Sequence, residues 1–221
     1  MADEDKLRAE KIENEAAENA PAAGEGETPP APKKKERPEE MVYSWGQSTI
    51  IAVVAVVLLF TFAVRIVSVR GPSMQDTLYT GDRMLVVNSL LCRYEPGDVV
   101  VINAYNAELD ETLVKRVIAV GGQTVDVDFV TGTVYVDGQP LDEPYVKEPT
   151  YTPEGTSFPL TLAEDEVFVM GDNRNHSTDS RDPRLGPVNV GYIQGKAVAV
   201  VFPGKTPGLD SRQWSRLGLI P

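Results

Sequence analysis

The chain has 221 residues, 42% of them hydrophobic and 24% charged, which suits one folded domain with appendages. Its formal net charge of −12 argues against a nucleic-acid-binding protein, because neutralising phosphates needs clustered Lys and Arg side chains. A single cysteine, Cys92, excludes an internal disulfide, and a single histidine, His176, excludes the usual multi-His metal centres. We therefore expect neither a metal nor another cofactor.

The first 40 residues are rich in Ala, Glu, Lys and Pro and contain almost no large apolar side chains. Such a segment cannot bury enough surface to offset the entropy of the chain. We expect residues 1–40 to form a disordered tail.

An uncharged, mostly apolar run follows, from Met41 to Val64. About 20 apolar residues span a bilayer core, so we expect a transmembrane anchor helix at residues 41–66. A buried core helix would show a polar face, and a cleavable signal peptide would not follow so long a preamble. Basic residues cluster at 33–37, just before the run. This bias predicts a single pass of the cell membrane, with a cytoplasmic N-terminus and an extracytoplasmic domain at 67–221.

Beyond Arg70 the sequence changes to short β-branched runs separated by turns rich in Gly, Pro, Asp and Asn. This pattern predicts a mostly β domain. Residues 138–163 carry five prolines and few apolar positions, which favours a loop-rich inserted lobe at about 124–165. The predicted strands are Met84–Val87, Asp98–Ile102, Leu113–Val120, Thr124–Val127, Thr133–Val136, Glu166–Met170 and Ala197–Phe202.

A serine stands on a turn shortly after the apolar run, in the stretch 69–78. Pro72 fixes its own φ, and Gly71 leaves the backbone uncluttered, so Ser73 is well presented as a nucleophile. Taken alone, this stretch is more typical of a linker turn leading into a domain.

Lys115 lies in a strand that is otherwise apolar on both faces. Period-2 alternation places it on the same face as Leu113, Val117 and Ala119. Desolvation among such neighbours disfavours the ammonium form and lowers the pKa of a lysine, which suits a general base. The structural alternative is an edge-strand lysine whose amine reaches water.

A polar loop follows the apolar strand at 167–170 and holds two arginines, three aspartates and several small polar side chains up to Asp182. Side chains at this density order one another by mutual hydrogen bonds. A calcium loop is the alternative, but the loop lacks the Gly and Glu of the EF-hand pattern.

Three features in this order resemble the type I signal peptidases, the membrane-bound Ser-Lys endopeptidases of bacteria (peptidase family S26). They are Gly-Pro-Ser-Met at 71–74 after an anchor, Val-Lys-Arg-Val-Ile-Ala-Val-Gly-Gly at 114–122, and Gly-Asp-Asn-Arg-x-x-Ser-x-Asp-Ser-Arg at 171–181. The single span and short lobe resemble Gram-positive-type members. The resemblance implies coiled antiparallel sheets with a small inserted lobe.

The resemblance also implies roles for individual side chains. Ser73 matches the family nucleophile, Lys115 its general base, and Ser177 the serine that orients the lysine. Two supporting ion pairs are implied, Asp179 with Arg181 and Asp172 with Arg116. The sequence departs from the family at Gly71, where some members carry a hydroxyl oxyanion donor, and at Asn175 and His176.

The implied substrates are secretory preproteins with small residues before the cut, held next to the lipid bilayer. Candidate pocket side chains are Met74, Leu78, Met84, Leu85 and Val86. A rival mechanism uses His176 as the base, oriented by Asp179. A different class of function is an anchored β domain that binds without cleaving.

Overall fold

The computed structural model describes residues 38–104, 109, 111–205, 208 and 211–221. The tail expected at residues 1–40 lies almost wholly outside this part of the chain. A helix and two antiparallel β-sheets make up the described residues, in agreement with the mostly β class that the sequence predicts.

The helix α1 spans Pro38–Leu58 and continues as a π-helical turn, Leu59–Ala63. Proline suits the first helical position, because its missing N–H would be unpaired there anyway. The segment Val42–Ala63 is long and apolar enough to cross a membrane, with a mean hydropathy of 2.1 and none of it buried. Residues 64–66, which we expected at the end of the anchor, lie instead on the first strand, where they pair with a second strand.

All seven predicted strands are present, with ends that differ by a few residues. The strands are β1 (Val64–Ser68), β2 (Arg83–Asn88), β3 (Val99–Asn103), β4 (Thr112–Val120), β5 (Thr124–Asp128), β6 (Thr133–Val136), β7 (Gln139–Pro140), β8 (Leu160–Thr161), β9 (Glu166–Met170), β10 (Val188–Asn189), β11 (Ile193–Phe202) and β12 (Gly218–Leu219).

The larger sheet has the strand order β1-β2-β11-β3-β4-β9-β10, with β12 added to β11. The smaller sheet, β7-β6-β5-β8, falls within the segment predicted as the inserted lobe. Every pairing between these strands is antiparallel. The sheet order places three strands between β1, which precedes the loop of Ser73, and β4, which carries Lys115.

Strand β4 contributes to two core clusters, which explains why its sequence is apolar on both faces. Leu113 and Val117 pack in one cluster, and Ile118 packs in the other with Phe168. Ala119, which alternation placed on the face of Lys115, packs with Ile118 instead, because the β4–β9 register shifts between Val117 and Ala119. A shift of this kind moves side chains across the sheet.

Candidate active site

Ser73 lies on the loop between β1 and β2. The Val69 N–H donates to the Asp82 carbonyl at 2.8 Å and closes this loop at its base. Met74 and Leu78 are fully buried in the core and hold the loop against the larger sheet. The fold therefore fixes the backbone on one side of Ser73 and leaves this serine half-buried.

Lys115 lies on β4 and is only 2% exposed. Burial lowers the pKa of its amine, while the carboxylates of Asp179, Glu154 and Glu111 oppose this effect. Lys115 forms no ion pair within the part of the chain that the structure describes. Desolvation without a paired carboxylate favours a neutral amine, the form that a general base requires.

Ser73 and Lys115 line the same cavity, which has a volume of about 820 Å³. Open strand edges flank this cavity. Within the described part of the chain, β1 pairs with β2 and has no strand on its other side. Among the described strands, the residues of β4 before Arg116 pair only with β3, because the pairing of β4 with β9 begins at Arg116. The lining residues are Ile66, Val67, Ser68, Arg70, Gly71, Pro72, Ser73, Glu111, Thr112, Leu113, Val114, Lys115, His176, Thr178 and Gln194.

The polar loop after β9 reaches the nucleophile loop through Gly171. A Cβ at this position would lie 2.5 Å from the Ser73 carbonyl oxygen and would also collide with the Ser177 side chain. Only a glycine fits here, and it brings Ser177 next to the backbone of Ser73. The Ser177 hydroxyl is buried, and its oxygen has no hydrogen-bond partner among the described residues.

Asn173 fastens the two loops together, a role that the sequence did not reveal. Its backbone N–H donates to the Ser73 carbonyl at 3.0 Å, and its side-chain amide donates to the Pro72 carbonyl at 3.1 Å. The position of Asn173 within the Gly-Asp-Asn-Arg motif was the only available signal.

Both expected ion pairs are present and fully buried. Arg116 donates to the Asp172 carboxylate at 2.9 and 2.7 Å, and Arg181 donates to the Asp179 carboxylate at 2.8 and 2.9 Å. Asp172 also accepts from the Thr77 hydroxyl at 2.5 Å, and Asp179 from the Gly171 N–H at 3.0 Å. Each pair thus fixes a part of the backbone that carries Ser73 or Ser177.

His176 is exposed and lines the cavity. The Asp179 carboxylate, which the rival mechanism needs as its partner, is engaged by Arg181 and Gly171 instead. Asn175, the other departure from the family pattern, accepts the N–H groups of Tyr151 and Thr152.

The apolar side chains expected to form the substrate pocket lie mostly in the core. Met74, Leu78, Met84 and Val86 are fully buried, and Leu85 is half-buried. The cavity lining contains none of the five. Their contact with a substrate stays a prediction.

Comparison with known proteins gives consistent matches. The family model described as signal peptidase, peptidase S26, matches residues 42–202. A signal peptidase I of Mycobacterium tuberculosis is 34% identical over 239 residues, covering 82% of this chain and 80% of that protein. One from Bacillus amyloliquefaciens is 34% identical over 180 residues, covering 77% and 94%. A solved signal peptidase I of Enterococcus faecalis V583 is 28% identical and covers 48% of this chain and 97% of its own, with a TM-score of 0.39.

Proposed function

The chain belongs to the signal peptidase family, peptidase S26, and is a serine peptidase; from this premise we propose that it removes N-terminal signal peptides from secreted preproteins with a Ser73–Lys115 dyad. The observation that carries this proposal is one cavity lined by a half-buried serine and a buried lysine whose pKa is lowered. A serine beside a neutral amine is the minimal arrangement for nucleophilic catalysis without a histidine base.

In the proposed reaction, the Lys115 amine takes the proton of the Ser73 hydroxyl as the serine oxygen bonds to the scissile carbonyl carbon. The tetrahedral intermediate collapses when the peptide C–N bond breaks and the lysine returns the proton to the leaving amine. Water then attacks the acyl-enzyme with the same amine as its base and releases the serine. We propose that the Ser177 hydroxyl, which has no hydrogen-bond partner among the described residues, orients this amine.

The oxyanion needs donors that are free before substrate arrives. The Ser73 N–H donates to no group among the described residues, so it is available for this role. Gly71 has a φ of +85°, and a Cβ there would meet nothing within 4 Å. A serine or threonine at this position would be strained by its backbone, although space exists for it. We therefore assign the oxyanion to the Ser73 backbone, with no side-chain donor from residue 71.

The open edges of β1 and β4 suit an extended peptide, because unpaired backbone groups on a strand accept a further strand. Alternate side chains of such a peptide point to opposite faces, so two positions before the cut would meet the protein on one face. Ile66, Leu113 and Val114 supply apolar surface there. We infer that contact with this apolar surface selects small side chains at these two positions.

We place the enzyme in the cell membrane, with α1 as a single-pass anchor, the N-terminus in the cytoplasm and the catalytic domain outside. The candidate span ends at Ala63, ten positions before Ser73. A tether of this length reaches at most about 35 Å. It keeps the nucleophile near the membrane surface, where the cleavage sites of preproteins emerge.

The test is cleavage of a purified preprotein by two alanine variants of the full chain. Ser73→Ala and Lys115→Ala are each expected to lower kcat/KM by about a thousandfold or more, because dyad members act as a unit. Ser157→Ala and Lys147→Ala are matched controls at exposed positions and should cleave normally. Cleavage retained by either dyad variant would overturn the proposed dyad. A wild-type chain that binds the preprotein without cleaving it would instead favour a β domain that only binds.

A further inference from the structure

A segment of the inserted lobe is bound along its length to the polar loop that carries Ser177. This segment, residues 142–156, is called the strap below. The strap and the loop are joined by one ion pair and several hydrogen bonds along the strap. The pairs are Glu143 with Arg174, Lys147 with Asp172, Thr150 with Arg174, Thr152 with Asn175 and Arg181, and Thr156 with Ser180. The position of the loop therefore depends on the strap.

Glu154 is the strap residue that reaches the ion pair beside Lys115. Its carboxylate lies 3.3 Å from the Arg181 guanidinium and accepts the Asp179 N–H at 3.4 Å, and its side chain is 15% exposed. Gly155 makes this approach possible, because its φ is +117° and a Cβ there would lie 3.2 Å from Pro183. A residue with a side chain would strain this turn.

The charges around Glu154 do not balance. Arg181 is already engaged by both oxygens of Asp179, so an ionised Glu154 adds a second negative charge to one cation. Burial and the Asp179 charge raise the pKa of Glu154 to about 7, against the opposing effect of Arg181, and Asp182 adds to the rise. Glu154 therefore gains its charge near neutral pH.

We propose that Glu154 is a positioning residue that holds the Arg181–Asp179 pair beside the general base and whose own charge sets the pH range in which the peptidase works. This inference rests on the proposed dyad.

The sign follows from the groups that face Lys115. Asp179, Glu154 and Glu111 favour its ammonium form, whereas Arg181 disfavours it. Only the neutral amine takes the Ser73 proton, so an ionised Glu154 reduces the active fraction of the enzyme near neutral pH. At high pH the lysine is neutral whatever the state of Glu154, and the effect vanishes.

The experiment compares pH profiles of kcat/KM for the full chain in detergent, with a preprotein as substrate. For each variant we take kcat/KM at pH 7.5 divided by kcat/KM at pH 9.5. Glu154→Gln is expected to raise this ratio about threefold over the wild type, the size of effect that one nearby charge exerts at partial screening. Glu154→Asp retains the charge and should keep the wild-type ratio.

Asp142→Asn is the matched control, because it removes the same charge from an exposed position of the strap. It should leave the ratio unchanged. Thermal unfolding checks that each variant is folded. If Glu154→Gln does not fold, Glu154→Ala replaces it, with the same expected rise in the ratio.

An unchanged or lowered ratio in the folded Glu154 variants would overturn the inference. So would an equal rise with Asp142→Asn, since the effect would then be a general one of net charge. Neither outcome would contradict the proposed Ser73–Lys115 dyad, provided that Lys115→Ala is inactive. Activity in Lys115→Ala would instead overturn the proposed function itself.

Discussion

Lys115 and Arg116 are neighbours on β4 and both are almost fully buried, but only Arg116 is paired with a carboxylate among the described residues. Arg116 is held by two hydrogen bonds to Asp172, because a guanidinium does not lose its proton and a buried cation needs a partner. Lys115 has no such partner within the described residues. A lysine can give up its proton on burial, so Lys115 can be buried without leaving an unpaired charge.

The first prediction concerns the pH dependence of cleavage. Burial lowers the pKa of Lys115 from 10.5. Since the neutral amine is the active form, kcat/KM should rise with pH through a midpoint below that of a free lysine. The measurement is kcat/KM between pH 6 and 10 on a preprotein that is itself stable over this range. A flat profile would argue against a lysine base.

The second prediction concerns His176. The Asp179 carboxylate is engaged by Arg181 and the Gly171 N–H, so it is not free to orient the imidazole. His176→Ala should therefore keep kcat within about threefold of the wild type, with any larger effect on KM, because the side chain lines the cavity. Loss of turnover in this variant, with Lys115→Ala still active, would establish the histidine as the base.

At the scale of elements, the site depends on the close approach of two loops at Gly171. This glycine has an ordinary φ, so it is required by space and not by backbone conformation. The Asn173 N–H of the loop after β9 donates to the Ser73 carbonyl, and a Cβ at Gly171 would meet both this carbonyl oxygen and the Ser177 side chain. Added volume at this point must push Ser73 and Ser177 apart.

The third prediction follows from this contact. Gly171→Ala should lower kcat/KM by about a hundredfold, because a misplacement of about 1 Å is enough for such a loss. It should also destabilise the fold by about 1–3 kcal/mol, as overpacking does. Gly46→Ala is the control, since a Cβ at Gly46 meets nothing within 4 Å. Cleavage assays and thermal unfolding measure the two effects, and a fully active Gly171→Ala would show that the loops have room to separate.

The longer strands could be predicted from sequence because each is a β-branched run bounded by turn residues. The two-residue strands β7, β8, β10 and β12 could not, since two residues carry no periodicity. β1 was missed for a different reason. Its Val and Ile residues suit the end of a membrane helix as well as a strand, and only its pairing with β2 decides between them.

At the scale of the whole molecule, the motifs indicate candidate residues but not their arrangement. Ser73, Lys115 and Ser177 stand out by motif, whereas Ser73 and Lys115 come to line one cavity only through the order of strands in the sheet. The strap could not be foreseen, because its bonds to the polar loop are formed by a proline-rich segment without a repeating pattern. The contacts of Glu154 were not predicted either, nor were the two hydrogen bonds from Asn173 to the Ser73 loop.

The last prediction separates anchoring from catalysis. Val54 and Val57 lie in the candidate span. Val54 is 50% exposed and Val57 is 56% exposed. Changing both to Asp should release the protein from membranes, because each charge near the centre of a span costs about 2.5–3.5 kcal/mol on insertion. Cleavage of a membrane-bound preprotein should fall about tenfold or more, whereas a short soluble peptide in detergent should be cleaved within about twofold of the wild-type rate.

Membrane fractionation and the two cleavage assays give the measurement, and changing both residues to Leu is the control for altered side-chain shape. An equal loss on the soluble peptide would mean that the helix supports the catalytic fold and does not act only as a tether. A loss confined to the preprotein would mean that the anchor works by raising the local concentration of the enzyme at the membrane surface, which a tether does without any new contact to substrate.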